Sequence, residues 1–169
     1  MMKAFLVLML FMAPNLISFA KGDDLLEVRK AYYLAVDNEQ SLKAFETMLI
    51  NFNNPDNTIL GYIGMSFMLK AKYSWLPNDK WNYFNKGKKF LESAILKDPN
   101  NIELKFMRFC IQNNTPTFLR YNKDLEKDRG NIFKAFSGIL DDDLKLRISN
   151  YMKVEKVQLT HAELNTLSR

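Results

Sequence analysis

The two side chains that most often carry chemistry occur once each in this 169-residue chain, as His161 and Cys110. His161 falls in the first turn of a predicted terminal helix, where an exposed imidazole is expected. With no second histidine and no His-Glu-x-x-His spacing, a zinc site has no ligand set. Cys110 sits between Phe109 and Ile111 in the most apolar predicted helix, so it reads as a buried structural thiol and not a reactive one. A single cysteine excludes an intramolecular disulfide. There is no glycine-rich phosphate loop, no nucleophile elbow and no Cys–His pair. Neither a cofactor nor a metal is therefore expected. Asp141, Asp142 and Asp143 offer three carboxylates in a row. They lack the alternating oxygen spacing of a calcium loop, and they suit the positive end of a helix dipole better. Glu92, Glu103, Asp124 and Asp128 lie in or near the apolar centre, but no spacing brings two of them together. Arg108 is flanked by Met107 and Phe109. A guanidinium buried there needs an acid, and Glu103 or Asp128 can serve.

Aromatic residues give the binding lead. Tyr73, Trp75, Trp81, Tyr83 and Phe84 bracket one loop, and Arg120 and Tyr121 sit in another. Trp and Tyr with a nearby Arg are common interface anchors. Trp75, Trp81, Tyr83, Arg120 and Tyr121 are the candidate partner contacts. The alternative is that these rings pack between the third and fourth helices.

The elements that must position these groups are helices. Trp81 to Gln112 reads as helix, turn, helix. Phe84, Gly87, Leu91, Ala94 and Ile95 recur at spacings of three and four, and Tyr83, Gly87, Phe90 and Ala94 form a second stripe. Two apolar stripes mean neighbours on two sides. Gly87 costs about 1 kcal/mol of helix propensity, which close approach of another helix offsets. Pro99 ends that helix. Asn100 is expected to cap the next one, with Glu103 three residues on. That next helix, rich in Leu104, Phe106, Met107 and Phe109, is expected to be central and buried.

Before this hairpin, helices are expected over about 24–36, from Asn38 through Leu49, and over about 58–73. Asp56 or Asn57 caps the third, and Gly61 and Gly64 suit close crossing. A loop over 74–79 follows. After the hairpin, Thr115-Pro116 opens a short helical piece, a helix spans about 125–140, another follows Asp143, and Thr160 with Glu163 forms a capping box for the last. No stretch shows sustained strand alternation. The expectation is a single all-α domain over residues 21–169, a short stack of antiparallel hairpins with seven or eight helices.

Gly87, Leu91, Ala94 and Pro99, followed by Asn100-Asn101, give this hairpin a resemblance to the tetratricopeptide repeat. The series matches the second helix of that repeat. The preceding helix, with Ala71, Ser74, Trp75 and Asn78 in strict register, departs from it, and a Trp-Leu-Pro-Asn loop is read as inserted there. The resemblance implies a helical-repeat fold. The wider run from Leu69 to Asp128, including NKGKKFLESAILKDPNNIEL and RFCIQNNTPTFLRYN, resembles a group of small exported helical proteins of Bacteroidota. It implies no activity.

The chain opens with Lys3, an apolar run from Ala4 to Ala13, and Ser18-Phe19-Ala20. These are the three parts of a secretory leader, so export to the periplasm or beyond is expected, with cleavage after Ala20. Pro14 and Asn15 interrupt the run before a span of about 20 residues, so no stable membrane span remains after cleavage. Loss of residues 1–20 removes only Lys3 from the charge count. It leaves 23 basic and 19 acidic residues from the original 24 and 19, a formal charge of +4. Lys86, Lys88 and Lys89 are the densest basic group. They read as a solvated helix face, and nucleic-acid binding needs a more basic patch.

The leading expectation is a non-enzymatic exported scaffold whose stacked hairpins present a groove to a peptide or protein. A carboxylate enzyme on an unfamiliar helical site is the second, recognisable by converging acids in a pocket. A structural or small-ligand-carrying protein is the third, recognisable by a large cavity between helices.

Overall fold

The described residues form eight α-helices, several of them begun by local capping signals in the sequence. They are α1 (Lys21–Asp37), α2 (Glu39–Ile50), α3 (Asn57–Tyr73), α4 (Pro77–Lys97), α5 (Ile102–Asn114), α6 (Leu125–Ala135), α7 (Asp142–Val154) and α8 (His161–Leu167). This computed structural model describes residues 21–154 and 158–168. The leader expected over residues 1–20 lies outside the described residues. Among those described there is no strand, and no helix is long and apolar enough to cross a membrane.

Asn38, Asp56, Asn101 and Thr160 cap α2, α3, α5 and α8 through their side chains. Each accepts a hydrogen bond from a first-turn N–H that the helix itself leaves unpaired. Asn101, not Asn100, caps α5: its side-chain oxygen accepts from Leu104 N at 3.1 Å. Its Nδ2 donates to Thr58 Oγ1 at 3.0 Å and to Asp98 Oδ2 at 3.1 Å. Asn100 has no such reach, so one cap also ties α5 to α3. The loop expected over 74–79 shrinks to three residues, because α4 begins at Pro77. Proline's fixed φ suits a first helical turn and its missing N–H costs nothing there. The Trp-Leu-Pro-Asn segment thus lengthens α4 at its start. The piece opened by Pro116 is one 3₁₀ turn, Thr117–Leu119, and the expected 125–140 helix tightens into a second at Phe136–Gly138.

Consecutive helices pair as hairpins, α1 with α2, α3 with α4 and α5 with α6, and α3 also packs on α1 and α5. The α3–α4 crossing is the closest. A Cβ on Gly87 would stand 2.7 Å from the Gly64 carbonyl oxygen, and one on Gly64 would stand 2.9 Å from that of Gly87. Both backbones touch where neither residue has a side chain. Leu91 and Ala94 continue that buried stripe, and the chain turns after Lys97, two residues before Pro99.

Two apolar cores result. Val28, Phe45, Tyr62, Met65 and Leu91 belong to the first, built from α1 to α5. Ile132, Phe136, Ile148 and Met152 belong to the second, built from α5 to α8. Helix α5 serves both: Leu104 and Met107 face the first, Phe106 and Phe109 the second. This is the central, buried helix that its nearly continuous apolar sequence predicts.

Candidate functional site

Helices α1, α3, α5 and α7 each contribute side chains to one cleft. It has a volume of about 920 Å³ and is bordered at its exposed end by the first turns of α4 and by Thr115–Leu119. Its wall is mostly apolar and aromatic, with Tyr32, Met65, Phe84, Phe106, Met107 and Ile111 among its members. The size and lining fall within the range of small-molecule sites, about 300–1,000 Å³ and mainly hydrophobic.

Four tyrosines, Tyr32, Tyr33, Tyr62 and Tyr151, line the wall. Tyr32 packs edge-on against Tyr33 and Tyr62, with centroids 5.1 and 5.6 Å away. Tyr62 donates to Glu103 Oε1 at 2.7 Å. The Arg147 guanidinium lies 4.2 Å over the Tyr33 ring, and Asn114 donates to the Tyr151 hydroxyl at 2.7 Å. The Tyr32 hydroxyl makes no hydrogen bond to a described residue. Burial pushes it well above the usual phenol range, and the nearby Cys110, Tyr33 and Tyr151 add to this. It stays a neutral donor at any ordinary pH. Cys110 is half-buried and faces the cleft. The thiol expected to be buried from its sequence surroundings is only partly so, because the cleft opens that side of α5.

The carboxylates converge more than their spacing suggests, and always on an arginine. Arg108 donates to both oxygens of Asp128, at 2.6 and 2.9 Å, and to Glu92 at 2.8 Å, with Asp124 at 3.5 Å. Asp128 is 0 % exposed. Tyr121 completes this group by donating to Glu92 at 2.7 Å. Arg29 donates to both oxygens of Glu103, at 2.7 and 2.8 Å, and pairs with Asp141 at 2.8 Å. Of the two acids open to Arg108, Asp128 is therefore the one it takes, and Glu103 belongs to Arg29. The two groups act as staples. Arg29, Tyr62, Glu103 and Asp141 tie α1, α3 and α5 to the start of α7; Glu92, Arg108 and Asp128 tie α4, α5 and α6. Burial opposes ionisation of Asp141, but the Leu144 N–H and Arg29 hold it below the usual carboxylate range. No three metal-ligating side chains come together among the described residues.

The five candidate contact residues do not form one surface. Trp81 is 53 % exposed and lines the cleft mouth. Trp75 is 91 % exposed in the α3–α4 connection, outside the cleft wall. Tyr83 is half-buried beneath the Lys70 ammonium, 5.4 Å from its ring centre. Arg120 is exposed and takes a left-handed φ of 47° as it closes the 3₁₀ turn. Tyr121 is only 2 % exposed, so it is corrected from contact residue to core. Its ring meets Phe84 edge-on and its hydroxyl serves the Arg108 staple. Phe118, exposed at the mouth, was not anticipated as a contact.

Sequence reasoning also missed Arg29 and the Tyr32–Tyr33–Tyr62 group. Arg29 carried a signal. It follows Leu25 by four and precedes Tyr32 by three, so it lies on the apolar stripe of α1. The tyrosines lie on stripes indistinguishable from ordinary core. No known protein family matches the chain, and neither does any curated protein or solved structure.

Proposed function

We propose that this chain is a non-enzymatic binding protein that carries a small apolar or amphipathic molecule in the cleft between α1, α3, α5 and α7. The cleft itself carries the proposal: a volume of about 920 Å³ whose wall is largely apolar. The acids at the centre support a role without catalysis. Glu92, Glu103 and Asp128 each accept from an arginine, so none stands as a ready base. The leader-like opening, from Lys3 to Ala20, supports export, and N-terminal sequencing of the secreted or periplasmic protein tests that part. The series Gly87, Leu91, Ala94 and Pro99 supports a hairpin-repeat ancestry. The exposed Trp75, Trp81 and Phe118 favour a second reading, a peptide or protein scaffold.

A neutral apolar dye, N-phenyl-1-naphthylamine, tests the carrier role. Wild type should bind it with one saturable site and a rise in fluorescence. Cys110→Trp and Leu119→Trp, each with an unchanged helical circular dichroism spectrum, place bulk in the cleft and should lose it. No saturable binding to wild type, or equal binding to both filled variants, removes the carrier role and leaves the scaffold.

A further inference from the structure

We infer that the ligand is a single-chain amphiphile with an anionic head, its tail in the cleft and its head at Lys72 and Lys80. This rests on the carrier reading above and adds the ligand's polarity and orientation.

The charged groups deep in the cleft are already matched. Arg147 is bound to Asp143 at 2.7 Å and stacked on Tyr33. Glu103 is held by Arg29 and Tyr62. A charged head placed there would be desolvated with no counter-charge to meet it. The apolar wall suits a tail, and Met65, Met68 and Met107 in that wall adapt their shape to a flexible chain.

The mouth is different. Lys72 and Lys80 both line it and both are exposed. Their ammonium groups meet backbone carbonyls and one aromatic ring: Lys72 Nζ donates to Val36 O at 2.6 Å and lies 5.1 Å over the Tyr73 ring, and Lys80 Nζ lies 3.4 Å from Ala71 O and Lys72 O. Neither has a carboxylate partner among the described residues. These contacts fix where the two charges sit, since an ammonium is well placed at the end of a helix. Each ammonium carries three donors, so capacity remains for an anion. Asp37 is the acid that lines the cleft at this end, so two lining ammonium groups stand against one lining carboxylate, with Glu39 acting on Tyr73 from outside the wall. Trp81 and Phe118 stand at the same opening, where aromatic rings suit the junction of tail and head. A carboxylate and a phosphate monoester present the same chemistry to two lysines, so a free fatty acid and a lipid phosphate both satisfy it.

The test displaces N-phenyl-1-naphthylamine from the full chain with dodecanoate, dodecyl phosphate and dodecan-1-ol, and repeats the series on Lys72→Gln/Lys80→Gln. One or both anions should displace the dye at a concentration about tenfold below the alcohol, and which one does so identifies the head. The double variant should bind the alcohol as wild type does and lose the preference for the anion. The inference is overturned if the alcohol competes as well as the anions, if none of the three displaces bound dye, or if the double variant keeps the preference. In those cases dye binding itself still stands and the carrier reading survives. Failure of wild type to bind the dye removes both.

Discussion

Asp128 is fully buried, and Arg108 meets its charge with two hydrogen bonds. Two opposite terms act at such a site. Desolvating both ions is costly, and their mutual attraction roughly returns that cost only while both are present. Arg108→Met should therefore destabilise the protein by about 3–5 kcal/mol, because it strands Asp128 beside Glu92 and Asp124. Adding Asp128→Leu should recover most of the loss. Urea unfolding of both variants checks this, and a double variant no better than the single one would show that the staple is a net source of stability. Gln112 is the contrary case on the same helix. Its side chain is buried, and neither its amide nitrogen nor its oxygen has a partner among the described residues. Gln112→Met, of similar length, should stabilise by about 1–2 kcal/mol by removing two unmet polar atoms. Unchanged or lowered stability would mean that these atoms are satisfied in solution, for example by water. The residue scale also shows what could be read in advance. An arginine between Met107 and Phe109 announces a need for an acid. Which acid it takes depends on how α4, α5 and α6 pack, and spacing along the chain is silent on that.

At the scale of elements, start and stop signals carried most of the information. Asparagine, aspartate and threonine caps act locally, so Asn38, Asp56 and the Thr160–Glu163 box fall where the sequence puts them. Asn100 was displaced by its neighbour Asn101 because only the latter's side chain also reaches Thr58 on α3, a tertiary contact. The cleft was not legible for a related reason. The faces of α1, α3 and α5 that line it are as apolar as the faces that fill the cores, and periodicity cannot tell a packed stripe from an open one. Gly87 was legible, since a glycine inside a strong helix pattern has to be explained. Gly87→Ala drives its new methyl into the Gly64 carbonyl, and backbone cannot swing aside as a side chain can. A loss of about 1–3 kcal/mol is expected. Gly130 is the control: it lies in α6 with open space around it, so Gly130→Ala should gain about 0.5–1 kcal/mol. Thermal unfolding of the pair should move in opposite directions, and a Gly87→Ala protein as stable as wild type would refute the tight crossing.

The last helix is tied on by charge. Arg129 donates to both oxygens of Glu163, each at 2.8 Å, and Glu163 also accepts from Thr160 N at 2.8 Å. Arg129 first, and Thr160 with it, hold the Glu163 carboxyl down to about 2 from an ordinary 4.5, against a smaller penalty from burial. A depressed carboxylate pKa stabilises the folded form above the unfolded value and loses that contribution as protons bind. The docking of α8 should thus be constant above about pH 5 and weaken as pH falls from about 4.5 towards 2. Hydrogen exchange of α8 amides, corrected for intrinsic rates, measures it. Arg129→Gln should remove most of the acid dependence, and an α8 equally protected at both ends of that range would discount the ion pair.

For the whole molecule, α5 is the member shared by two cores and by both arginine staples, so the chain is held together from its middle outwards. The cleft runs along that same helix. Wall residues such as Met65, Phe106 and Met107 are already largely buried, and a ligand seated against half-buried neighbours such as Tyr32, Phe84 and Ile111 removes further apolar surface from water. A ligand there touches α1, α3, α5 and α7 at once, so it should act on the fold as a whole. A molecule that binds only the folded state adds RT ln(1 + [L]/Kd), about 2.7 kcal/mol at a hundredfold excess over Kd. For a chain of this length that is roughly 5–10 °C in Tm. Scanning calorimetry with dodecanoate, dodecyl phosphate and dodecan-1-ol should show a shift of that size for whichever displaces the dye. Leu119→Trp, with the cleft occupied by its own side chain, should show almost none. The Lys72→Gln/Lys80→Gln protein should keep the shift from the alcohol and lose the extra shift from the anion. A rise in Tm that is the same in the filled variant would mean the amphiphile coats the exposed Trp75 and Leu76 surface and leaves the cleft empty.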